Sequence, residues 1–262
     1  MNLKRVIISS DTNPKFIEFW PLVADAWRKL FNVEVWLALV TPPLSEASRP
    51  AFDAHGHVVC LWPVEGIPVS NQAKLARYFV AGSWGDASVC MTNDIDLLPL
   101  QREYTQELLR QRPAEHLLTI GSELYTGAEA GKFTAGYLTA ESRVWQNLIN
   151  PSGLNWDGFV RQFVGMKVID HKEDVLRAVH HEDPDTFSDE SLLRALLRLR
   201  KVAVCHRPRG YAPYTTRALC RSDWQFDPIK LKDGTYVEAH LPRPLHEHRE
   251  RIQPLIEHLN HV

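Results

Sequence analysis

The chain has 262 residues, a length at which an open α/β sheet of about 250 residues still forms one domain. With 44% hydrophobic and 24% charged residues it cannot be a disordered chain, a collagen or a coiled coil. Thirty basic residues against 32 acidic ones leave a net charge of −2, too weak a field to make nucleic acid or an anionic membrane the main partner.

Val6 to Ser10 is a short β-rich run ending in polar residues. Asn13-Pro14 then supplies an N-cap and a proline at the first helical position. Phe16, Phe19, Trp20, Val23, Ala24, Trp27, Leu30 and Phe31 recur at three- and four-residue steps, which predicts one apolar helix face, bent or restarted at Pro21. Val33–Val40 is almost continuously apolar, as suits a strand covered on both faces. His57–Trp62 reads as a third strand, and Ser70–Ala81 as a helix capped by Ser70 and stopped by Gly82. Ala87–Thr92 reads as a fourth strand. Strand and helix alternate through residue 95, so parallel pairing with right-handed crossovers is expected.

The second half is less regular. Helices are expected at Gln101–Arg112, Glu141–Ile149, Trp156–Phe163, Lys172–His181 and Ser188–Arg200. Strands are expected at His116–Ile120, Phe133–Thr139 and Val202–His206, and Arg207–Trp224 reads as an ordered loop. No repeat, low-complexity tract or domain boundary interrupts the chain. The expected architecture is one α/β domain: residues 1–100 form a nucleotide-type half and residues 101–262 an acceptor half.

Cys60, Cys90, Cys205 and Cys220 make no C-x-x-C pair and predict free thiols in a reduced compartment. The N-terminal residues lack the apolar core of a signal peptide, and Val33–Val40 is far shorter than the roughly 18 residues of a membrane span. A soluble, cytoplasmic protein is the expectation.

Asp94-Ile95-Asp96 is the strongest chemical signal. It follows an apolar strand, where open parallel sheets bind their ligands. If extended, it points both carboxylates to one side and Ile95 inward. Two hard oxygen ligands suit Mg²⁺ or Mn²⁺, which can bridge a diphosphate. The plain alternative is a polar turn, in which Asn and Asp are common.

Taken together, Ser9-Ser10-Asp11 closing a first strand, the helix with Gln72-Ala-Lys-Leu-Ala-Arg77, and Asp94-Ile95-Asp96 closing a later strand resemble the GT-A-fold nucleotide-sugar glycosyltransferases. Phe187-Ser-Asp-Glu-Ser-Leu-Leu is similar to that fold's acidic helix-start motif, and Tyr236-Val-Glu-Ala-His240 to its metal-site histidine. Arg221-Ser-Asp-Trp224 and His240-Leu-Pro-Arg-Pro244 resemble the small GT-A sugar transferase domains of large algal viruses. The resemblance spans nearly the whole chain on short motifs. It implies a mostly parallel mixed sheet flanked by helices and a metal-dependent hexosyltransferase. The donor would be a nucleoside-diphosphate sugar, UDP-linked, and the acceptor a hydroxyl on a glycan or lipid-linked glycan. It also implies that Asp94, Asp96 and His240 hold Mn²⁺ or Mg²⁺, with Asp94 contacting either the ribose or the metal. Ser10 and Asp11 would face the nucleoside, Lys74 and Arg77 the base or phosphates, and Asp189 or Glu190 would be the general base of an inverting reaction.

Each assignment has a plainer counterpart. Lys74 and Arg77 share a helix face that solvent alone explains. His240 also reads as a surface histidine. Asp189 and Glu190 suit the first turn of a helix, with Thr186 as its cap. His246-Glu-His248 reads better as a solvated helix than as a metal site, and Trp145, Trp156 and Tyr137 better as core than as sugar platforms. The acid-free stretch Ser191–Ser222 carries Arg194, Arg198, Arg200, Lys201, Arg207, Arg209, Arg217 and Arg221, part of them a helix face. The loop arginines there, with Tyr211 and Tyr214, suit a diphosphate, an anionic acceptor or nucleic acid. A sugar nucleotidylyltransferase remains the alternative enzyme, although it needs a glycine-rich basic loop where this chain has Ser-Ser-Asp-Thr-Asn-Pro. A non-catalytic sugar-nucleotide or glycan binding module is the alternative without turnover.

Overall fold

The computed structural model describes residues 3–110, 113–121, 136–169, 189–207 and 217–261. The chain runs β1 (Leu3–Asp11), α1 (Pro14–Ile17), α2 (Trp20–Phe31), β2 (Glu34–Val40), α3 (Arg49–Asp53), β3 (His57–Leu61), α4 (Val69–Gly82) and β4 (Val89–Asn93). It continues through β5 (Leu97–Pro99), α5 (Arg102–Arg110), β6 (Leu117–Ile120), β7 (Leu138–Glu141), α6 (Ser142–Ile149) and α7 (Trp156–Ile169). Then come α8 (Asp189–Arg200), β8 (Val204–Arg207), β9 (Ala218–Leu219), α9 (Pro228–Lys232), β10 (Glu238–His240) and α10 (Arg249–His261).

Seven strands form one sheet in the order β3-β2-β1-β4-β7-β6-β8, and three form a small second sheet, β5-β10-β9. The pairs β3–β2, β2–β1, β1–β4 and β6–β8 are parallel, while β4–β7 and β7–β6 are antiparallel. The result is the expected mixed, mostly parallel sheet. The near-continuous apolar strands follow from its two covered faces. Val6, Ile8, Leu37 and Leu39 join α2 and α10 in one core, whereas Ile7, Ala38, Val40 and Cys90 join α4, α6 and α7 in the other. Period-two alternation therefore sorts residues between two cores rather than between core and water.

Asn13 caps α1, its side chain accepting from the Lys15 N–H at 3.0 Å. Pro21 restarts the helix as α2, whose Trp20 and Trp27 are fully buried as their spacing predicts. Several expected boundaries move. Helix α4 begins at Val69 with Pro68 before it, so Ser70 lies inside its first turn. The Pro68 carbonyl accepts the Asn71 and Gln72 N–H groups, which leaves Ser70 nothing to cap. Gly82 is the last residue of that helix, and α6 lies against it: a Cβ there would meet the Gln146 backbone nitrogen at 3.0 Å. The strand expected at Phe133–Thr139 is Leu138–Glu141, pinned by its register on β4, and residues 133–135 lie outside the described residues. The ordered loop expected after Arg207 contains β9. The expected helix Lys172–His181, and also Thr186, Arg209, Tyr211 and Tyr214, lie outside the described residues. All four cysteines are free, and no helix among the described residues is long and apolar enough to cross a membrane.

Candidate active site

The chain winds from β1 outward to β2 and β3, then returns to place β4 on the other side of β1. The carboxyl ends of β1 and β4 therefore flank the switch point at which open α/β sheets bind ligands. The register Ile8↔Asn93 brings Ser10 and Asp11 to the same rim as Asp94.

The Asp94-Ile95-Asp96 segment is not extended, which corrects the expectation that its carboxylates project side by side. Leu97 N–H donates to the Asp94 carbonyl at 3.1 Å, closing a tight turn. Asn93, fully buried, donates its side-chain amide to the Asp94 and Leu97 carbonyls at 2.9 Å each and locks that turn. Chain reversal sends the two carboxylates to different partners. Asp94 stays about a third exposed, and its Oδ1 accepts from Arg77 Nη1 at 2.5 Å. Asp96 turns inward and is only 1% exposed.

Asp96 meets residues from more than a hundred positions away. Residues β5 and β10 pair antiparallel, with His240 opposite Leu97, and the Leu241 N–H donates to the Asp96 carbonyl at 2.8 Å. This sets His240 Nε2 3.3 Å from Asp96 Oδ2, too poorly aligned for a hydrogen bond. The same oxygen accepts from Arg221 Nη1 at 2.6 Å and Arg243 Nε at 2.5 Å. Burial pushes the Asp96 carboxyl up, but His240 and Arg243 beside it outweigh burial and hold it well below the usual carboxylate range. Arg243 is itself steered by Phe16, whose ring lies 4.8 Å from its guanidinium carbon.

The other candidates divide. Ser10 is buried and its hydroxyl donates to the Asp11 carbonyl, while Asp11 Oδ1 accepts from the Asn13 N–H at 3.0 Å. Both stand at the rim with those side-chain atoms engaged in shaping the β1–α1 turn. Arg77, 5% exposed, is no solvated helix residue, and Lys74 one turn away is half-buried. Asp189 and Glu190 open α8 in the backbone, while their side chains lie outside the described residues. Tyr137, Trp145 and Trp156 are core residues, which removes them as sugar platforms. His246 Nδ1 lies 2.9 Å from Glu18 Oε2, consistent with a structural pair instead of a metal site. The sequence reading quoted Arg221 and Arg243 within short motifs but gave neither its role as a partner of Asp96. The available signal for Arg243 was its place three residues after His240.

Asp96 Oδ1 and His240 Nε2 are both buried, and neither has a hydrogen-bond partner among the described residues. One hard oxygen and one imidazole nitrogen left unspent in the same place is donor chemistry that fits Mn²⁺ or Mg²⁺. Among the described residues, however, no three His, Cys, Asp or Glu side chains gather as a ready-made metal cage. Asp94, held by Arg77, does not join them.

The sheet order, with its D-x-D turn at the switch point and a small sheet delivering a histidine to that turn, is the GT-A fold of nucleotide-sugar transferases. Similar solved structures include the galactosyltransferase LgtC in complex with donor and acceptor sugar analogs, at 15% identity and TM-score 0.55, covering 97% of this chain and 95% of that one. The glycosyltransferase GlyE of Streptococcus pneumoniae matches at 13% identity and TM-score 0.53, and the alignment covers all of this chain but 63% of GlyE. A glycosyltransferase involved in glycosylation of the major capsid of PBCV-1 matches at 9% identity and TM-score 0.50, over 97% of this chain and 100% of that one. At these identities the fold is what is shared. No protein-family model matches the chain, and no curated protein matches its sequence.

Proposed function

We propose that the protein is a glycosyltransferase that moves a sugar, a hexose, from a UDP-linked donor to a hydroxyl on a glycan or lipid-linked glycan, using Mn²⁺ or Mg²⁺. The observation that carries this reading is Asp96: a buried carboxylate at the switch point, with one oxygen unpartnered and His240 beside it. Asp96 and His240 would hold the cation, and Asp94 would complete the set or bind the ribose. When bound, such an ion neutralises charge on the departing nucleoside diphosphate.

The remaining work falls to side chains. Arg221 and Arg243 present guanidinium groups, whose forked donors match phosphate oxygens. Arg77 orients Asp94. Ser10, Asp11 and Lys74 line the route to the nucleoside and phosphates. One of Asp189 and Glu190 would take the proton from the acceptor hydroxyl if the reaction inverts. Such a site works by positioning two substrates and stabilising developing charge.

A melting-temperature panel of nucleoside diphosphates and their sugars with Mn²⁺ tests the reading, since a ligand at a hundred times its dissociation constant adds about 2.7 kcal/mol. UDP release from a UDP-sugar, with Mn²⁺ and with EDTA, then separates transfer from binding alone. If no nucleoside diphosphate or sugar nucleotide raises the melting temperature, the reading is wrong.

A further inference from the structure

Asp96 is engaged by more positive charge than a metal ligand ordinarily tolerates. Arg221 and Arg243 both lie on its Oδ2, and Arg77 lies on Asp94. Among the described residues three guanidinium groups face the two carboxylates of this turn, so Asp94 and Asp96 are already matched by cations before any metal arrives. A bare divalent ion approaching Asp96 Oδ1 is repelled by its neighbours, whereas a diphosphate is attracted.

The two arginines differ in freedom. Arg243 is three-quarters buried and stacked over Phe16, and it follows His240 in the same segment. Arg221 has a side chain 37% exposed and reaches Asp96 from the segment after β9. It is the cation that can leave.

We propose that Arg221 is a latch on the metal site: it serves as the resident counter-cation of Asp96 and leaves that carboxylate only when a nucleoside diphosphate offers it phosphate oxygens. Rotation of one exposed side chain removes one of the two guanidinium groups on Asp96 Oδ2, with Arg243 remaining, and adds a diphosphate contact in a single exchange. Cation and nucleotide binding are then strongly and reciprocally coupled, because each favours the unlatched state. Arg221 on this account acts on the cation through Asp96 and on the diphosphate directly. The inference rests on the transferase reading for the identity of the anion, but not for the behaviour of the cation.

Binding of Mn²⁺, followed through the electron paramagnetic resonance signal of the free ion, tests this without turnover. Wild-type protein, Arg221→Ala and Arg221→Gln are titrated with Mn²⁺ alone and with saturating UDP, and their thermal melts check folding. The latch requires that Mn²⁺ alone binds wild type weakly, that UDP tightens it by about 5–150-fold, and that both variants bind Mn²⁺ alone more tightly than wild type. A merely structural arginine would not improve metal binding when lost. Unchanged or weaker Mn²⁺ binding in the folded variants overturns the latch, even if UDP binds normally. Tighter Mn²⁺ binding in the variants with no response to any nucleoside diphosphate overturns both the transferase reading and the phosphate-driven release, and leaves Arg221 only as the counter-cation of Asp96.

Discussion

Replacing Asp96 with asparagine keeps the shape of the side chain and removes its charge. Asp96 is 1% exposed and accepts from both Arg221 and Arg243, so the change leaves two guanidinium groups without their counter-charge. Removing one partner of a fully buried ion pair costs about 3–5 kcal/mol. Here the arginine side chains keep 37% and 25% of their exposure to water, which lets them resolvate, and a cost of about 2 kcal/mol is expected. For a chain of this size that corresponds to a fall in melting temperature of about 4–8 °C. Transfer should be abolished as well, because the variant retains the fold but has lost the anionic carboxylate. Acid adds a second signature. The folded carboxyl titrates below its ordinary value of 3.8, so its contribution is complete above that pH and is lost as pH falls below it. The gap in melting temperature between wild type and Asp96→Asn should therefore be constant near neutrality and narrow in acid. An Asp96→Asn protein that melts with wild type and turns over normally in EDTA would refute both the burial argument and the metal role.

Trp27 is fully buried, with its ring 4.7 Å from Phe31 and 6.1 Å from Tyr137, so Trp27→Ala should cost about 3–5 kcal/mol, read by denaturant unfolding. Burial pushes the Cys90 thiol from 9.0 up to about 11, so its contribution to stability is complete below pH 9 and is lost as pH rises toward 11. Cys90→Ala should accordingly flatten the alkaline limb of the melting-temperature profile, and an unchanged limb would contradict the shift. For Asp189→Asn and Glu190→Gln, one variant should lose about 10²–10⁴-fold in turnover with donor binding intact, and the other should lose only about 0.3–1 kcal/mol of stability. Near-normal turnover in both on the true acceptor would remove α8 from the chemistry.

Local pattern in the sequence was enough for most elements, because each is set by neighbours within a turn or two. The steps from Phe16 to Phe31 specify α1 and α2, Asn13-Pro14 the entry to α1, and the apolar runs of β2 and β4 the two-sided burial of the sheet. The short motifs also pointed to the GT-A fold and to Asp94, Asp96 and His240 as residues of one site. What those residues do to one another was decided by tertiary structure. Whether Asp94-Ile95-Asp96 is extended or turned depends on Asn93 reaching the Leu97 carbonyl, a local contact, and on β5 pairing with β10, which no local window contains. Asp96 is buried, not strand-end surface, because the segment from Cys220 to Arg243 folds over it and brings cations 125 and 147 residues distant. Arg221 was one arginine among many in the sequence, since a charge run carries no record of which member meets a carboxylate. That pairing follows from where the chain returns, and electrostatics at short range does the rest.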